Sequence, residues 1–239
     1  IRRRLIESGL AESACVLIRP GVDFALLPVR RPGTLLARAL DGEAGVGCDR
    51  PNPNPVLLTP PPVSRNGGHF YAVWAAAALQ QVYEGIRLVL PWPSPERERL
   101  RRFAASAGLS RMLVMPEPHV DFASLLAGAD VLVVPATGDV CAVGGNVPVV
   151  GFAVPGVAEF GADGIDGLLV PPARPIELAS RIYRVLTAPE LAYRLVATAG
   201  QHAYEALSLQ RYVRRHRRLY DNLLAGRAAD AGMQDGLSG

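Results

Sequence analysis

Two carboxylates could together perform acid–base chemistry if the fold brings them close to each other. Asp139 lies inside the glycine-rich segment TGDVCAVGGN (residues 137–146), and Glu159 lies in the turn-rich segment PGVAEFGADGIDGLLVPP that follows (residues 155–172). A suitably placed pair of carboxyl groups can act as general acid and general base. Acidic residues are also common in surface turns, so a purely structural role is the competing interpretation.

A second candidate site is the turn PPVSRNGGHF (residues 61–70), which could hold a phosphate group. Gly67 and Gly68 would allow backbone N–H groups and the start of the following helix to point at an anion. Arg65 could add a bidentate contact. No lysine follows the glycines and their spacing differs from GxGxxG, so the turn is neither a Walker A loop nor the dinucleotide-binding fingerprint. An ordinary strand-to-helix turn is the alternative.

The segment between Pro135 and Pro148 is unusually short for the connection that it must make. It joins two apolar runs with the character of parallel strands, and such connections normally include a helix. Twelve residues separate the two prolines, which leaves room for one poor helical turn. A solvent-exposed loop is one interpretation of this segment. If it instead meets a ligand, its candidate residues are Thr137, Gly138, Asp139 and Asn146, with Glu117 after an earlier strand.

Composition excludes several functions. The 239 residues carry a formal net charge of +3, which is too small to indicate nucleic-acid binding. Every basic residue is an arginine, so lysine-based catalysis is ruled out. The three cysteines and four histidines show no metal-ligand spacing, and no apolar run is long enough to span a bilayer. We therefore expect a cytoplasmic protein with reduced thiols, no metal cofactor and no transmembrane segment.

The densest cluster of arginines occupies residues 211–218, in the stretch RYVRRHRRLY of a predicted helix. Such a cluster could contact phosphates or a membrane surface. The alternative is a solvated helix face on which the arginine stems cover apolar neighbours.

Short apolar runs alternate with helical patterns, which predicts a parallel sheet with helices on both faces, an α/β Rossmann-like fold. In this fold ligands bind beyond the carboxyl ends of the strands. Ser94 is predicted to cap a helix that has Pro95 at its first position, and Phe70, Val73 and Trp74 mark an apolar helix stripe. The predicted strands are 15–19, 55–60, 86–92, 111–116, 130–135, 147–152 and 167–172, and the predicted helices are 67–85, 94–109, 121–129, 175–187, 189–206 and 208–225.

Several of these segments together resemble one family. NGGHFYAVWAAAALQQ, FASLLAGADVLVVPA and NVPVVGFAVPGVAEFGADGIDGLLVPP are similar, in this order, to the donor half of retaining GT-B glycosyltransferases of the glycogen-synthase and sucrose-synthase-like group. The resemblance covers residues 1 to 225, and residues 146–195 are its most specific part. It implies a Rossmann-like donor-side domain over 11–206. Within it, residues 28–54 are rich in Pro, Gly and Arg and show no periodicity, which predicts a long surface loop or linker. The resemblance also implies an inter-lobe helix remnant at 1–10 and a closing helix at 207–225, before a disordered tail at 226–239.

The resemblance also implies a nucleotide-sugar substrate, no metal, and donor-binding residues that this chain retains only in part. The family's phosphate-binding Arg and Lys align with Pro62 and Gly67, and Arg65 is close enough to replace one of them. About six residues are missing from the segment that carries two glutamates in the family, and Asp139 is left as its carboxylate. The predicted catalytic residue is therefore Asp139, and the predicted donor-binding residues are Arg65, Gly67, Gly68, Glu117, Thr137, Gly138, Asn146 and Glu159.

Two functions remain open on these grounds. The first is a glycosyltransferase domain that binds a nucleotide-sugar but is impaired, and that needs an acceptor-binding lobe or partner subunit because no such lobe is recognised in the chain. The second is a catalytically inactive glycosyltransferase-like module that acts as a scaffold through protein contacts.

Overall fold

A computed structural model describes residues 2–26, 54–135, 147–154 and 161–225. The chain divides into two compact units. Ile1–Leu26 and His202–Gly239 form the first unit, and Leu27–Gln201 form the second.

The second unit contains a six-stranded sheet in which every neighbouring pair is parallel. The strand order is β3-β2-β1-β4-β5-β6, which confirms the predicted parallel architecture. The strands are β1 (Val56–Leu58), β2 (Arg87–Val89), β3 (Leu113–Val114), β4 (Val131–Val134), β5 (Val149–Phe152) and β6 (Leu168–Val170).

Both faces of the sheet are buried. Successive residues of a strand point to opposite faces, and β4 illustrates the result because Val131 and Val133 pack in one core while Leu132 and Val134 pack in the other. This explains why the central strands are continuously apolar rather than alternating, as expected for a parallel sheet with covered faces.

Helices of the second unit contribute to both cores. The helices of the whole described chain are α1 (Arg2–Glu7), α2 (His69–Leu79), α3 (Arg97–Ser106), α4 (Phe122–Ala127), α5 (Pro175–Thr187), α6 (Pro189–Leu207) and α7 (Leu209–Leu224). Residues of α2, α3, α5 and α6 join the first core, and Leu125 and Leu126 of α4 join the second. Asp121 caps α4 by accepting hydrogen bonds from the Ser124 hydroxyl (2.6 Å) and the Ser124 N–H (2.9 Å). These bonds lower the pKa of Asp121.

Helix α2 differs from its prediction in length and in orientation. It ends at Leu79, short of the predicted Gly85, and the chain continues in turns. Phe70 and Trp74 are exposed and stack against Phe103 of α3. Three of the six buried residues of α2 are alanines, and α2 packs against α5. Of the predicted stripe, Val73 is buried in the core as expected, whereas Phe70 and Trp74 lie at the surface.

The predicted strand at residues 15–19 is wrong. Its backbone pairs with none of the six strands, Leu17 is exposed, and Cys15, predicted as a core residue, is only half-buried. Val22 instead pairs with the first unit's own helices. Its N–H donates to the Leu207 carbonyl (2.7 Å), and its carbonyl accepts from the Leu209 N–H (3.1 Å).

Ser94 does not cap a helix. Helix α3 begins at Arg97 with Glu96 at its N-cap position. The Ser94 side chain is buried, and its hydroxyl has no hydrogen-bond partner in the described part of the chain. Two prolines, Pro93 and Pro95, flank this residue and hold it in the turn that precedes the helix.

Candidate functional site

The strand order identifies where a ligand would bind. Strands β1, β2 and β3 follow one another outward in one direction, and β4, β5 and β6 follow in the other. The order therefore reverses between β1 and β4, and in open parallel sheets the crevice at this reversal, beyond the carboxyl ends of the strands, is the usual ligand site. The turn after β1 and the carboxyl end of β4 lie at this position.

The turn between β1 and α2 has a geometry that requires glycine. Gly68 precedes α2 with φ of 68°, in the left-handed region. Gly67 is buried, and a Cβ atom placed on it would lie 2.6 Å from the imidazole of His69. Because Gly68 has no side chain, no side-chain hydrogen bond caps α2. The first turn of this helix thus presents backbone N–H groups, the arrangement that attracts an anion.

His69 fastens the start of α2 to the end of β1. Its ring is buried, and its Nε2 lies 3.2 Å from the Pro60 carbonyl oxygen. Burial lowers the pKa of His69, and the nearby carbonyls of Pro60 and Ser64 oppose this effect. A neutral ring that meets a carbonyl must carry its proton on Nε2 and donate it. His69 lies inside the helix that was predicted to begin at residue 67, but the sequence analysis did not assign it this contact.

Arg65 lies in the same turn and is exposed. Within the described ranges its guanidinium forms no hydrogen bond and no ion pair. Arg65, Gly67 and Gly68 are thus brought together at the β1 end of the crevice, as their sequence spacing predicted. This part of the candidate site combines a positive side chain with a helix N-terminus.

Backbone hydrogen bonds and the side chain of Arg97 join the turns after the first three strands. The Val63 N–H donates to the Pro93 carbonyl (2.9 Å), and the Glu96 N–H donates to the Val63 carbonyl (3.3 Å). Arg97 at the start of α3 donates to the carbonyls of Met115 (3.3 Å) and Pro116 (3.5 Å). The turn that holds Arg65 is therefore anchored to its neighbours rather than isolated.

Glu117 lies farther from this turn. It follows β3, the edge strand, and β2 stands between β3 and β1. Adjacent strands are about 4.8 Å apart, and two such spacings separate β3 from β1. The structure therefore does not bring Glu117, which is exposed, next to the β1 turn. Its role in donor binding stays a prediction.

The remaining predicted site residues lie outside the described residues. They are the predicted catalytic residue Asp139 and the predicted donor-binding residues Thr137, Gly138, Asn146 and Glu159. The proposed Asp139–Glu159 pair accordingly remains a prediction.

Two other acidic residues of the turn-rich segment have structural contacts. Asp163 accepts a hydrogen bond from the Leu169 N–H (2.9 Å), and Asp166 accepts one from the Ala162 N–H (3.1 Å). Arg181 lies 3.7 Å from Asp163. These carboxylates stabilise the turn that leads into β6. This structural role explains the presence of both residues, and no catalytic role is needed.

Tyr71 also lies near the carboxyl ends of the strands, and the sequence analysis did not single it out. It lies in the first turn of α2, is partly exposed, and packs edge-to-face on Phe152, the last residue of β5, with ring centroids 5.7 Å apart. A helix pattern alone could not identify it, because its position depends on which strand ends beside the α2 start.

A cavity of about 240 Å³ lies at the amino ends of the strands, opposite the carboxyl ends where the crevice is. Asp130 and Pro148, which precede β4 and β5, line it together with residues of α5 and α6. Asp130 accepts a hydrogen bond from the Val56 N–H (2.8 Å) and so fastens the amino ends of two strands. The cavity therefore lies away from the crevice. In the described residues no group of three His, Cys, Asp or Glu side chains could hold a metal ion.

The sheet order, the covered faces and the glycine turn define a Rossmann-like domain. A model of the family described as glycosyl transferases group 1 matches residues 62–188. The chain belongs to this family, which confirms the resemblance found in the sequence. A comparison with curated proteins gives no significant match.

Solved structures show the same fold. Sucrose-phosphate synthase from Thermosynechococcus elongatus is 23% identical with a TM-score of 0.72, and covers 94% of this chain and 57% of its own. Anabaena HepE in complex with UDP and glucose is 18% identical with a TM-score of 0.74, and the corresponding shares are 94% and 60%. The chain thus spans less than two thirds of either structure.

A third structure is a single domain. The C-terminal domain of the glycosyl transferase group 1 family protein LpcC from Francisella tularensis is 15% identical with a TM-score of 0.64. The match covers 80% of this chain and 100% of that domain. The chain therefore corresponds in fold to the C-terminal domain of LpcC.

Proposed function

We propose that the chain is the donor-binding half of a glycosyltransferase and that it binds a nucleoside diphosphate sugar at the crevice between β1 and β4. The diphosphate lies against the start of α2, and no metal ion takes part. Asp139 acts as the carboxylate nearest the donor. HepE, which has a similar fold, is described in complexes with UDP and with UDP-glucose, which supports this class of ligand.

The observation that carries the proposal is the turn of residues 65–68 in front of α2. Gly68 leaves the helix N-terminus without a side-chain cap, and Arg65 beside it is exposed without an ion pair in the described part of the chain. A helix N-terminus and a guanidinium together favour a phosphate group, through backbone N–H donors and charge-assisted hydrogen bonds.

The same turn supports impaired binding of the donor's phosphate groups. The family's Lys position aligns with Gly67, where a Cβ atom would lie 2.6 Å from the buried His69 ring. A lysine could not occupy this position unless His69 moved. The other aligned cation position is Pro62. Arg65 therefore supplies the one side-chain charge that the described turn offers to a diphosphate.

Transfer to an acceptor requires a second wall that closes over the substrates and excludes water. The chain spans 57% and 60% of the two longer neighbours. We propose that an acceptor-binding lobe, in the same protein or in a partner subunit, provides that wall.

The experiment is a thermal-shift and titration series with UDP, GDP and ADP and their glucose conjugates. A ligand at a hundredfold excess over its Kd stabilises the fold by about 2.7 kcal/mol. Arg65→Ala should weaken binding by about tenfold or more, because a hydrogen bond to a charged group contributes about 1.5–3 kcal/mol. Arg111→Ala is the matched control. Arg111 is also exposed, but it precedes β3 and so lies at the amino end of a strand rather than at the carboxyl end. Equal losses in both variants would remove Arg65 from the site.

The second candidate function is a catalytically inactive module that acts through protein contacts. The specific observation in its favour is the glycine at the family's lysine position, which has no room for a side chain. If no nucleotide shifts the melting temperature of the chain at millimolar concentration, the scaffold function replaces donor binding.

A further inference from the structure

The imidazole of His69 has one nitrogen that its surroundings leave without a partner. The residue is 4% exposed. Its Nε2 lies 3.2 Å from the Pro60 carbonyl oxygen, whereas its Nδ1 is buried and forms no hydrogen bond with any described residue. A neutral ring that donates from Nε2 has a lone pair on Nδ1. Because a buried acceptor without a donor costs free energy, the placement of this nitrogen requires an explanation.

Nδ1 faces the turn in front of α2. A Cβ atom placed on Gly67 would lie 2.6 Å from this nitrogen and 3.1 Å from the Ser64 hydroxyl oxygen. The Gly67 N–H donates to the Ser64 carbonyl (3.1 Å), and the same carbonyl acts to raise the pKa of His69. A proton on Nδ1 would therefore have an acceptor in Ser64, as the proton on Nε2 has in Pro60. The protonated ring would fasten α2 to the turn and to the end of β1 at once.

In the free chain, burial opposes the protonated ring. Desolvation is the largest effect on the pKa of His69 and lowers it, so the ring is neutral at pH 7. No charged side chain of the described residues contributes to this shift. The titratable side chains on the surrounding elements are Arg65 in the turn, Tyr71 in α2, Glu96 after β2, which pairs with Arg99 (3.1 Å), and Arg174, Glu177, Arg181, Tyr183 and Arg184 on α5.

A bound phosphate group changes this balance because it brings a negative charge to residue 69 itself. His69 is the first residue of α2, so its backbone N–H is among the donors that have no partner within the helix. An anion on these donors and the imidazole ring are thus held by the same residue. An opposite charge within about 4–6 Å favours the protonated form of histidine, and partial burial strengthens the interaction relative to water.

We propose that His69 is a positioning residue that takes up a proton at Nδ1 when a phosphate group of the donor binds at the start of α2. The proton comes from the solvent, and no covalent bond of the ligand forms or breaks. This inference rests on the proposed function and adds a second charge to that site. The ring that leaves no room for a lysine at position 67 supplies a positive charge in its place, but only in the complex. In the free chain the charge of the turn is that of Arg65.

The test is isothermal titration calorimetry of the full 239-residue chain with UDP-glucose, between about pH 5.5 and about pH 8.5. Both phosphates of UDP-glucose are esterified, so the ligand itself does not titrate in this range. At each pH the titration is repeated in two buffers of different ionisation enthalpy, which gives the number of protons taken up. A rise of one pKa unit on binding would give an uptake of about half a proton and a Kd about fourfold lower at pH 6 than at pH 8.

Three variants separate the contribution of His69 from other effects. His69→Gln should bind UDP-glucose without proton uptake and with a Kd that does not change over this pH range. His119→Gln, at an exposed residue, should retain both the uptake and the pH dependence. Arg65→Ala should bind more weakly at every pH but keep the proton uptake, because an arginine does not titrate in this range.

A second measurement needs only the native chain. The NMR shifts of the imidazole nitrogens report which of them carries a proton. We expect the proton on Nε2 in the free chain at about pH 7, and protons on both nitrogens in a larger fraction of the complex. Binding of UDP-glucose without proton uptake, or with an uptake that His69→Gln retains, would overturn the role of His69 and leave donor binding intact. If no nucleotide binds, the proposed function and this inference both fail.

Discussion

At the scale of single residues, Gly67 and His69 form one structural unit. The His69 ring occupies the space where a side chain on residue 67 would begin. Gly67→Ala should destabilise the fold by about 1–3 kcal/mol, the usual cost of overpacking. Gly200→Ala is the control, because nothing lies within 4 Å of that added Cβ in α6, and alanine there should stabilise the helix by about 0.5–1 kcal/mol. Urea unfolding measures both effects.

A double-mutant cycle tests whether the two residues are coupled. In a His69→Ala background the Gly67→Ala substitution should cost much less, since the ring that it would meet is gone. An unchanged cost in that background would contradict the contact and the explanation it gives for the absence of lysine at position 67.

His69 also predicts how stability depends on pH. Burial lowers its pKa in the folded state, so the unfolded chain binds the proton more readily. The contribution of His69 is therefore complete above the ordinary histidine pKa of about 6.5 and is lost as the pH falls below that value. His69→Gln should flatten this part of the curve of unfolding free energy against pH. His119→Gln, at an exposed residue, should leave it unchanged, and identical curves for native chain and His69→Gln would contradict the prediction.

At the scale of elements, the sequence predicted the strands, whose continuous apolar runs result from burial on both faces of the sheet. The six sheet strands were all expected, because their apolar runs are interrupted by prolines and glycines and alternate with helices. The run at residues 15–19 has the same apolar character but is not a strand. Its backbone lies in the unit formed with residues 202–225, where Val22 pairs with Leu207 and Leu209. Composition cannot distinguish these cases, because strand formation depends on a partner elsewhere in the chain.

Helix α2 shows a second limit of pattern reasoning. Its aromatic residues Phe70 and Trp74 were predicted, together with Val73, as one apolar stripe. The structure instead buries alanines against α5 and leaves Phe70 and Trp74 against Phe103 at the surface. When alanines and aromatic residues compete for one face, the distance between neighbouring helices decides, and a single sequence does not contain that distance.

At the scale of the whole molecule, the fold and the family could be predicted, and the candidate site could be predicted in part. Arg65, Gly67 and Gly68 meet at the β1 turn because they are adjacent in sequence and follow a buried strand. Glu117 was grouped with them because it also follows a strand, but it follows the edge strand. Strand order, which arises from long-range pairing, was the information that the sequence lacked.

The last prediction concerns catalysis by these 239 residues alone. If the titration series finds that UDP-glucose binds, we expect it to stabilise the chain without measurable release of UDP. The described residues contribute one parallel sheet and one side of a crevice, and they offer Arg65 as the side-chain charge for the departing diphosphate. Transition-state charge requires preorganised donors in a site from which water is excluded. Binding therefore precedes, and does not by itself bring about, transfer.

The measurement is release of UDP from UDP-glucose, at chain concentrations well above the Kd found by titration. Arg65→Ala is the control for occupancy, since it should remove the thermal stabilisation. Release of UDP in proportion to chain concentration, and its loss in Asp139→Asn, would contradict the prediction. That outcome would mean that Asp139 and the crevice suffice for cleavage of the donor, and that a second lobe serves to direct the sugar to its acceptor rather than to activate it.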